Sequence, residues 1–189
     1  NYAYALANGF TPATILDDSP VGFSVPGQPL YTPKNYDGEY KGRISLRSAF
    51  AQSRNIPAVK TLAAYGVVKM IEQGKNLGIT TWDDTSRFGL SLTLGGGEVT
   101  MMDMATAYSI FPNSGQRVDL HPTLLVKNFR GQILEDYRLG KNLSKENVIS
   151  SKTAFLISNI LADNSARTPA FGPGSALVIP NQTVSVKTG

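Results

Sequence analysis

Along this chain of 189 residues the spacing of apolar positions changes period several times. "NYAYALAN" sets small and aromatic residues at helical spacing over residues 1–8, with Gly9 as a C-terminal stop. From residue 10 to 43 the periodicity dissolves among Pro, Gly, Asp and Tyr, which predicts a long, ordered connection. Helical spacing returns at Ser45. Leu46, Ala49 and Phe50 share a face, and the run stops at Ser53-Arg54-Asn55. Pro57 suits the first turn of a further helix that Val59, Leu62 and Ala63 carry to Gly66, and Val67, Met70 and Ile71 begin another ending near residues 74–78. Gly95-Gly96-Gly97 reads as a tight turn. It precedes a helix opened by Thr100-Met101-Met102-Asp103, a capping box with Asp in place of Glu, whose Met101, Met104, Ala105 and Tyr108 form a face expected in the core. "PTLLVKNFRGQILEDY" predicts a β-hairpin turning near residues 128–131. Ala154, Ile157 and Leu161 mark a helix over about residues 151–162, and the alternation in "TVSVK" predicts a short terminal strand. The fold class is α+β and helix-dominated, with no internal repeat or low-complexity tract.

Composition narrows the chemistry. Hydrophobic residues at 41% and charged residues at 17% are globular values, in a chain long enough for one domain or part of one. Cysteine is absent, which excludes disulfides, thiolate zinc sites and cysteine nucleophiles. A single histidine, His121, argues against a histidine triad or a multi-histidine metal site; before Pro122 it reads as a structural residue at a strand entrance. The net charge of +4 is spread along the chain without a basic run, so no nucleic-acid partner is expected. No apolar run reaches the length of a membrane span. The first residues read as the inside of a helix and the last as the inside of a strand, so the chain reads as a segment of a longer protein.

Four polar features bear on function. Ser53-x-Asn55 is compatible with simple helix punctuation, since both residue types favour helix ends, or with two polar groups aimed into a cleft. Lys187-Thr188-Gly189 offers a cation, a hydroxyl and an unobstructed backbone at the end of an alternating segment; the plain alternative is an edge strand with a solvated lysine. The three glycines lack the Gly-Lys-Ser/Thr ending of a phosphate loop. Asp17-Asp18 has no second acidic cluster at metal-ligand spacing and reads as loop capping. No metal and no cofactor is expected.

Ser-x-Asn followed 134 residues later by Lys-Thr-Gly matches two of three signatures of penicillin-binding proteins and serine β-lactamases. The text between them is more specific. "TPATILDDSP", "YTPKNYDGEYKGRISLRSAFAQSRNIPAVK" and "LSLTLGGGEVTMMDMATAYSIFPNSG" resemble the transpeptidase domain of bifunctional, class A penicillin-binding proteins, and the similarity runs from Asn1 to Gly189. The resemblance implies a partial transpeptidase fold over residues 1–189, acting on peptidoglycan stem peptides that end in acyl-D-Ala-D-Ala and trapped by β-lactams. It implies that Ser53 relays a proton, Asn55 donates its amide to a substrate carbonyl, Lys187 supplies positive potential, Thr188 binds the substrate carboxylate and Gly189 keeps the strand edge open. It further implies an extracytoplasmic location and a membrane-anchored parent protein with an upstream glycosyltransferase domain. The family's nucleophile motif, Ser-x-x-Lys, does not occur in these residues, so the chain alone is expected to be inactive. Competing readings are a non-catalytic penicillin-recognising or scaffold domain of the same fold, and a D,D-carboxypeptidase.

Overall fold

The helical spacing in the first 76 residues corresponds to four helices: α1 (Tyr2–Ala7), α2 (Leu46–Ala51), α3 (Asn55–Tyr65) and α4 (Val67–Asn76). The computed structural model describes residues 1–24, 29–120, 122–138 and 145–189; the expectation for His121 lies outside these. α3 is the central element because it is apolar on nearly every side, with Ile56, Pro57, Ala58, Val59, Thr61 and Leu62 all buried. On one side Ala58 joins Tyr2, Leu6, Leu46 and the Ile157, Ile160 and Leu161 of α6 (Ser151–Ala162). On the other, Leu62 joins Ile71 of α4, Trp82, and Leu92 from a 3-10 helix at Leu90–Leu94. Each large apolar side chain so buried contributes about 1.5–3 kcal/mol before entropy is counted.

Among the described residues, strands border this core in three antiparallel pairs. β1 (Ile15–Asp18) pairs with β2 (Gly42–Ser45), Ile15 opposite Ser45 and Asp18 opposite Gly42. β3 (Gln116–Val118) pairs with β6 (Lys145–Asn147), and β4 (Leu125–Lys127) with β5 (Ile133–Asp136). The last pair is the predicted hairpin, closed by the Gly131 N–H on the Asn128 carbonyl at 3.0 Å. The first pair corrects the expectation of an irregular connection over residues 10–43. Its two strands are four residues each, the partner lies far along the chain, and β1 ends in two aspartates, so no local alternation marks it.

Three further expectations change. Residues 183–187 form no strand, because among the described residues no strand pairs with them; instead the Val186 N–H donates to the Leu161 carbonyl at 3.1 Å and the Ser185 hydroxyl to the Ser158 carbonyl at 2.8 Å. The segment is thus an extended tail laid along α6. Residues 164–171, for which the spacing marks no element, form α7 (Asn164–Phe171), capped by the Asp163 carboxylate and tolerating Pro169 in its body. On α5 (Met101–Ser109) the buried positions are Asp103, Thr106 and Ala107, while Met101 is 89% exposed and Met104, Ala105 and Tyr108 are also exposed. The apolar stripe faces outward because Asp103 is drawn inward. Thr100 caps the helix as expected, accepting from the Asp103 N–H at 3.0 Å, and the Asp103 carboxylate reaches back to Thr100. It accepts from the Thr80 N–H and hydroxyl at 2.9 and 3.0 Å. The Thr80 backbone bond is the main reason this carboxyl sits below the usual carboxylate range.

Candidate active site

The end of α2 and the start of α3 create the turn that carries Ser53 and Asn55. The Arg54 N–H bonds the Ala49 carbonyl at 2.9 Å and the Ser53 N–H bonds the Phe50 carbonyl at 3.1 Å. This is the Schellman closure of a helix, and it needs a left-handed residue that is usually Gly. Here that residue is Ser53, at φ +55°. Arg54 is then extended, at φ −72° and ψ 124°. At the next residue α3 begins, without a capping side chain from Arg54. Asn35 supplies the cap from 20 residues upstream, its side-chain Oδ1 accepting from the N–H groups of Asn55 at 2.9 Å and Ile56 at 3.2 Å. Pro57 has no N–H to satisfy, so every donor of the first turn is accounted for.

Lys187 reaches this turn because the tail follows α6, and α6 packs on α1 and α3. The Lys187 ammonium donates to the Ser53 hydroxyl oxygen at 2.7 Å and also to the Thr188 carbonyl. Two motifs 134 residues apart therefore meet by direct hydrogen bond. They do so on a cavity of about 550 Å³ whose lining includes Ser53, Asn55, Lys187, Thr188 and Gly189. All five residues expected at the site are thus on one surface. Asn1, Tyr2 and Ala3 of the α1 end line the same cavity, and its apolar wall includes Trp82, Leu92, Met104 and Tyr108. The outward stripe of α5 accordingly contributes Met104 and Tyr108 to this wall, a role its spacing alone does not distinguish from core packing. One amide hydrogen of Asn55 is engaged by the Lys34 carbonyl at 2.8 Å, which orients the side chain and leaves the second hydrogen for a ligand.

Lys187 is the group whose titration matters here. Burial disfavours its charged form and lowers its pKa from the ordinary 10.5. The folded chain therefore binds this proton less tightly than the unfolded one. Lys187 therefore subtracts stability at neutral pH, and the cost disappears as pH rises through the folded pKa towards 10.5. For any reaction that needs the ammonium, the alkaline limb of the pH–rate profile is expected below pH 10.5. Lys187→Arg, permanently charged, should move that limb upward; a limb unchanged by the substitution would show that another group titrates.

Beneath the turn lies a polar cluster that the sequence reading missed. Arg54 is only 2% exposed and Asp18 fully buried. Arg54 Nε donates to Asp18 at 2.9 Å, one terminal nitrogen to Asp37 at 2.6 Å and the other to the Glu39 carbonyl. Asp18 also accepts from the Asn35 amide at 2.7 Å and the Lys41 N–H at 3.0 Å. Asp18 is therefore the buried end of β1 rather than a loop cap. Its neighbour Asp17 does act locally, accepting from Ser19 and from Lys60 at the surface. For Asp37, burial opposes ionisation most strongly of any single cause, but the bond and charge of Arg54 together with backbone N–H bonds, the Glu39 N–H among them, outweigh it and the carboxyl stays below its usual range. Among the described residues, no three His, Cys, Asp or Glu side chains are grouped to hold a metal ion. No described helix is long and apolar enough to cross a membrane.

A Ser–Lys hydrogen bond, an oriented Asn and a Lys-Thr-Gly tail thus share one cavity on a mixed helix-and-strand scaffold. Residues 1–189 match the family described as the penicillin binding protein transpeptidase domain, and the chain belongs to it. It is 36% identical over 134 residues to penicillin-binding protein 1A of Rickettsia conorii, covering 70% of this chain and 17% of that protein. Against penicillin-binding protein 1A of Neisseria meningitidis serogroup B, it is 31% identical over 169 residues, 86% of this chain and 20% of the relative. The chain thus spans a fifth or less of these relatives' length. Among solved structures, penicillin-binding protein 1A from Haemophilus influenzae superposes with a TM-score of 0.75 at 26% identity, over 87% of this chain and 28% of that one. The imipenem acyl-enzyme complex of penicillin-binding protein A from Mycobacterium tuberculosis has the same fold, with a TM-score of 0.75 at 19% identity over 99% of this chain and 45% of that one. The resemblance to class A transpeptidase domains is borne out.

Proposed function

We propose that this chain forms one wall of a serine D,D-transpeptidase site that cross-links peptidoglycan stem peptides. The observation that carries the reading is the 2.7 Å bond from Lys187 to Ser53 on a cavity shared with Asn55, Thr188 and Gly189. In this reading a serine on a Ser-x-x-Lys turn preceding Asn1 is acylated by the stem peptide, the terminal D-Ala leaves, and a neighbouring peptide's amine takes the acyl group. Ser53 relays the proton between the nucleophile and the leaving nitrogen. The free amide hydrogen of Asn55 orients the acyl chain, while Lys187 and Thr188 receive the terminal carboxylate. The placement of Asn1, Tyr2 and Ala3 on the cavity supports a nucleophile arriving from that side. The same reading implies a parent protein at the extracytoplasmic face of the membrane, with a glycosyltransferase domain upstream.

The test is covalent labelling by a fluorescent penicillin, read on a denaturing gel. The 189-residue chain is expected to stay unlabelled, having no Ser-x-x-Lys. The parent protein, reaching through that motif and past Lys-Thr-Gly, is expected to label stoichiometrically. A parent protein that folds yet takes no label sinks the enzyme reading in favour of a recognition or scaffold domain. Product analysis with an added amine acceptor separates transpeptidation from simple carboxypeptidase hydrolysis.

A further inference from the structure

Arg54 stands between the two polar residues of the proposed site, yet its guanidinium is directed into the protein. Ser53 and Asn55, on either side of it, both line the cavity, while the Arg54 guanidinium runs to the buried groups behind the turn. The guanidinium makes three bonds to two separate stretches: the Asp18 carboxylate of β1, and the Asp37 carboxylate and Glu39 carbonyl of the loop before β2. Its cation is answered by two carboxylates, so it adds little positive potential to the cleft, and Lys187 remains the cation there. Nor does core stability by itself call for an arginine at this place. A buried ion pair is often matched or exceeded by apolar residues of similar volume. What the planar fork provides, and an apolar side chain does not, is a fixed direction.

The strain in the turn supplies the second observation. Ser53 holds a left-handed backbone that non-glycine residues adopt at a cost, and such a conformation persists only when its surroundings over-determine it. Immediately after it, Arg54 is anchored by its three bonds and Asn55 by the Asn35 cap. Asn35 is in turn fixed by Asp18 at 2.7 Å and the Glu39 carbonyl at 2.9 Å, the same groups that hold Arg54. One buried cluster thereby sets both residues that follow the strained serine.

We propose that Arg54 is a positioning residue for acylation: with Asp18 and Asn35 it fixes the strained turn that presents Ser53 and Asn55 to the substrate. This rests on the transpeptidase reading above. A displaced turn moves the proton relay and the acyl-chain anchor together, and an ångström of misplacement can slow a reaction about 10²-fold. The initial non-covalent encounter depends more on Lys187 and Thr188 and is affected less.

The parent protein is the material for the test, with a fluorescent penicillin as the probe. Stopped-flow labelling separates the first-order acylation constant from the apparent dissociation constant, and the end point counts the fraction of molecules that label. Arg54→Lys, which keeps the charge and loses the fork, should lower the acylation constant by about 10²-fold and change the dissociation constant only a few-fold. The double variant Arg54→Met/Asp18→Asn removes both buried charges and should recover much of the thermal midpoint while acylation stays slow. Wild-type acylation by the double variant overturns the proposal. So does a loss confined to the labelled fraction, with the rate constant of the labelling molecules unchanged, since that is the behaviour of a residue that only stabilises the fold. A wild-type parent protein that takes no label overturns the transpeptidase reading and this inference with it, whereas a labelling wild type with indifferent variants overturns this inference alone.

Discussion

Ser53→Gly in the parent protein is expected to make the domain more stable while slowing penicillin acylation by about 10²- to 10⁴-fold. The two effects have separate origins. Ser53 sits at φ +55° in a Schellman closure, where a side chain costs about 1–2 kcal/mol and glycine costs nothing sterically. Removing Cβ relieves that strain and leaves the two backbone bonds of the turn in place. The same change deletes the hydroxyl that accepts from Lys187, so the proton relay goes with it. Ser53→Ala should lose the rate equally but keep the strain. Thermal unfolding and labelling kinetics on the same three proteins measure both effects. A glycine variant that is less stable than the alanine variant would show that the turn is not strained.

Asp18→Ala is expected to destabilise the fold by about 3–5 kcal/mol, the cost of breaking a buried ion pair from one side. Three donors lose their acceptor at once: Arg54 Nε, the Asn35 amide and the Lys41 N–H. Arg54 retains Asp37, but one of its two charge partners is gone from a site with almost no access to water. The adjacent Asp17→Ala should be close to neutral, because Asp17 and Lys60 pair at the surface, where solvent and salt screen them. Urea unfolding of both variants makes the comparison. Equal midpoints would mean that the buried cluster contributes far less than its geometry indicates.

These two aspartates also mark the boundary of what the primary structure reveals. Side by side in sequence, they are given the same reading, loop capping; in the fold one is a surface partner and the other the centre of the cluster under the active turn. The difference lies in Arg54, 36 residues away, and Asn35, 17 residues away. Similarly, Thr100 is recognisable as a cap because its acceptor role is local, but the inward pull on Asp103 comes from Thr80. That pull rotates α5 so that the apolar stripe faces out and its Met104 and Tyr108 line the cavity. The strand pair β1–β2 escaped notice for the same reason, since its register depends on residues brought together across a long connection. The alternating tail illustrates the reverse error. A period of two is necessary for a strand, but a ladder also needs a partner, and residues 183–187 have α6 instead.

The sequence by itself determined the helices from 1 to 76, the one opened by Thr100 and the one from 151 to 162, their punctuation by Ser45, Pro57 and Thr100, the β4–β5 hairpin, and the family, through Ser53-x-Asn55 and Lys187-Thr188-Gly189. Those features depend on hydrogen bonds and side-chain spacing within a few residues, so they are written locally. Only the tertiary structure decided that Lys187 touches Ser53, that Ser53 is strained, and that Arg54 turns inward to a cluster built by Asp18, Asn35, Asp37 and Glu39. Each of those depends on packing α3 between two groups of helices. The energy of that packing is shared among side chains distant in the chain, and no short stretch of sequence carries it.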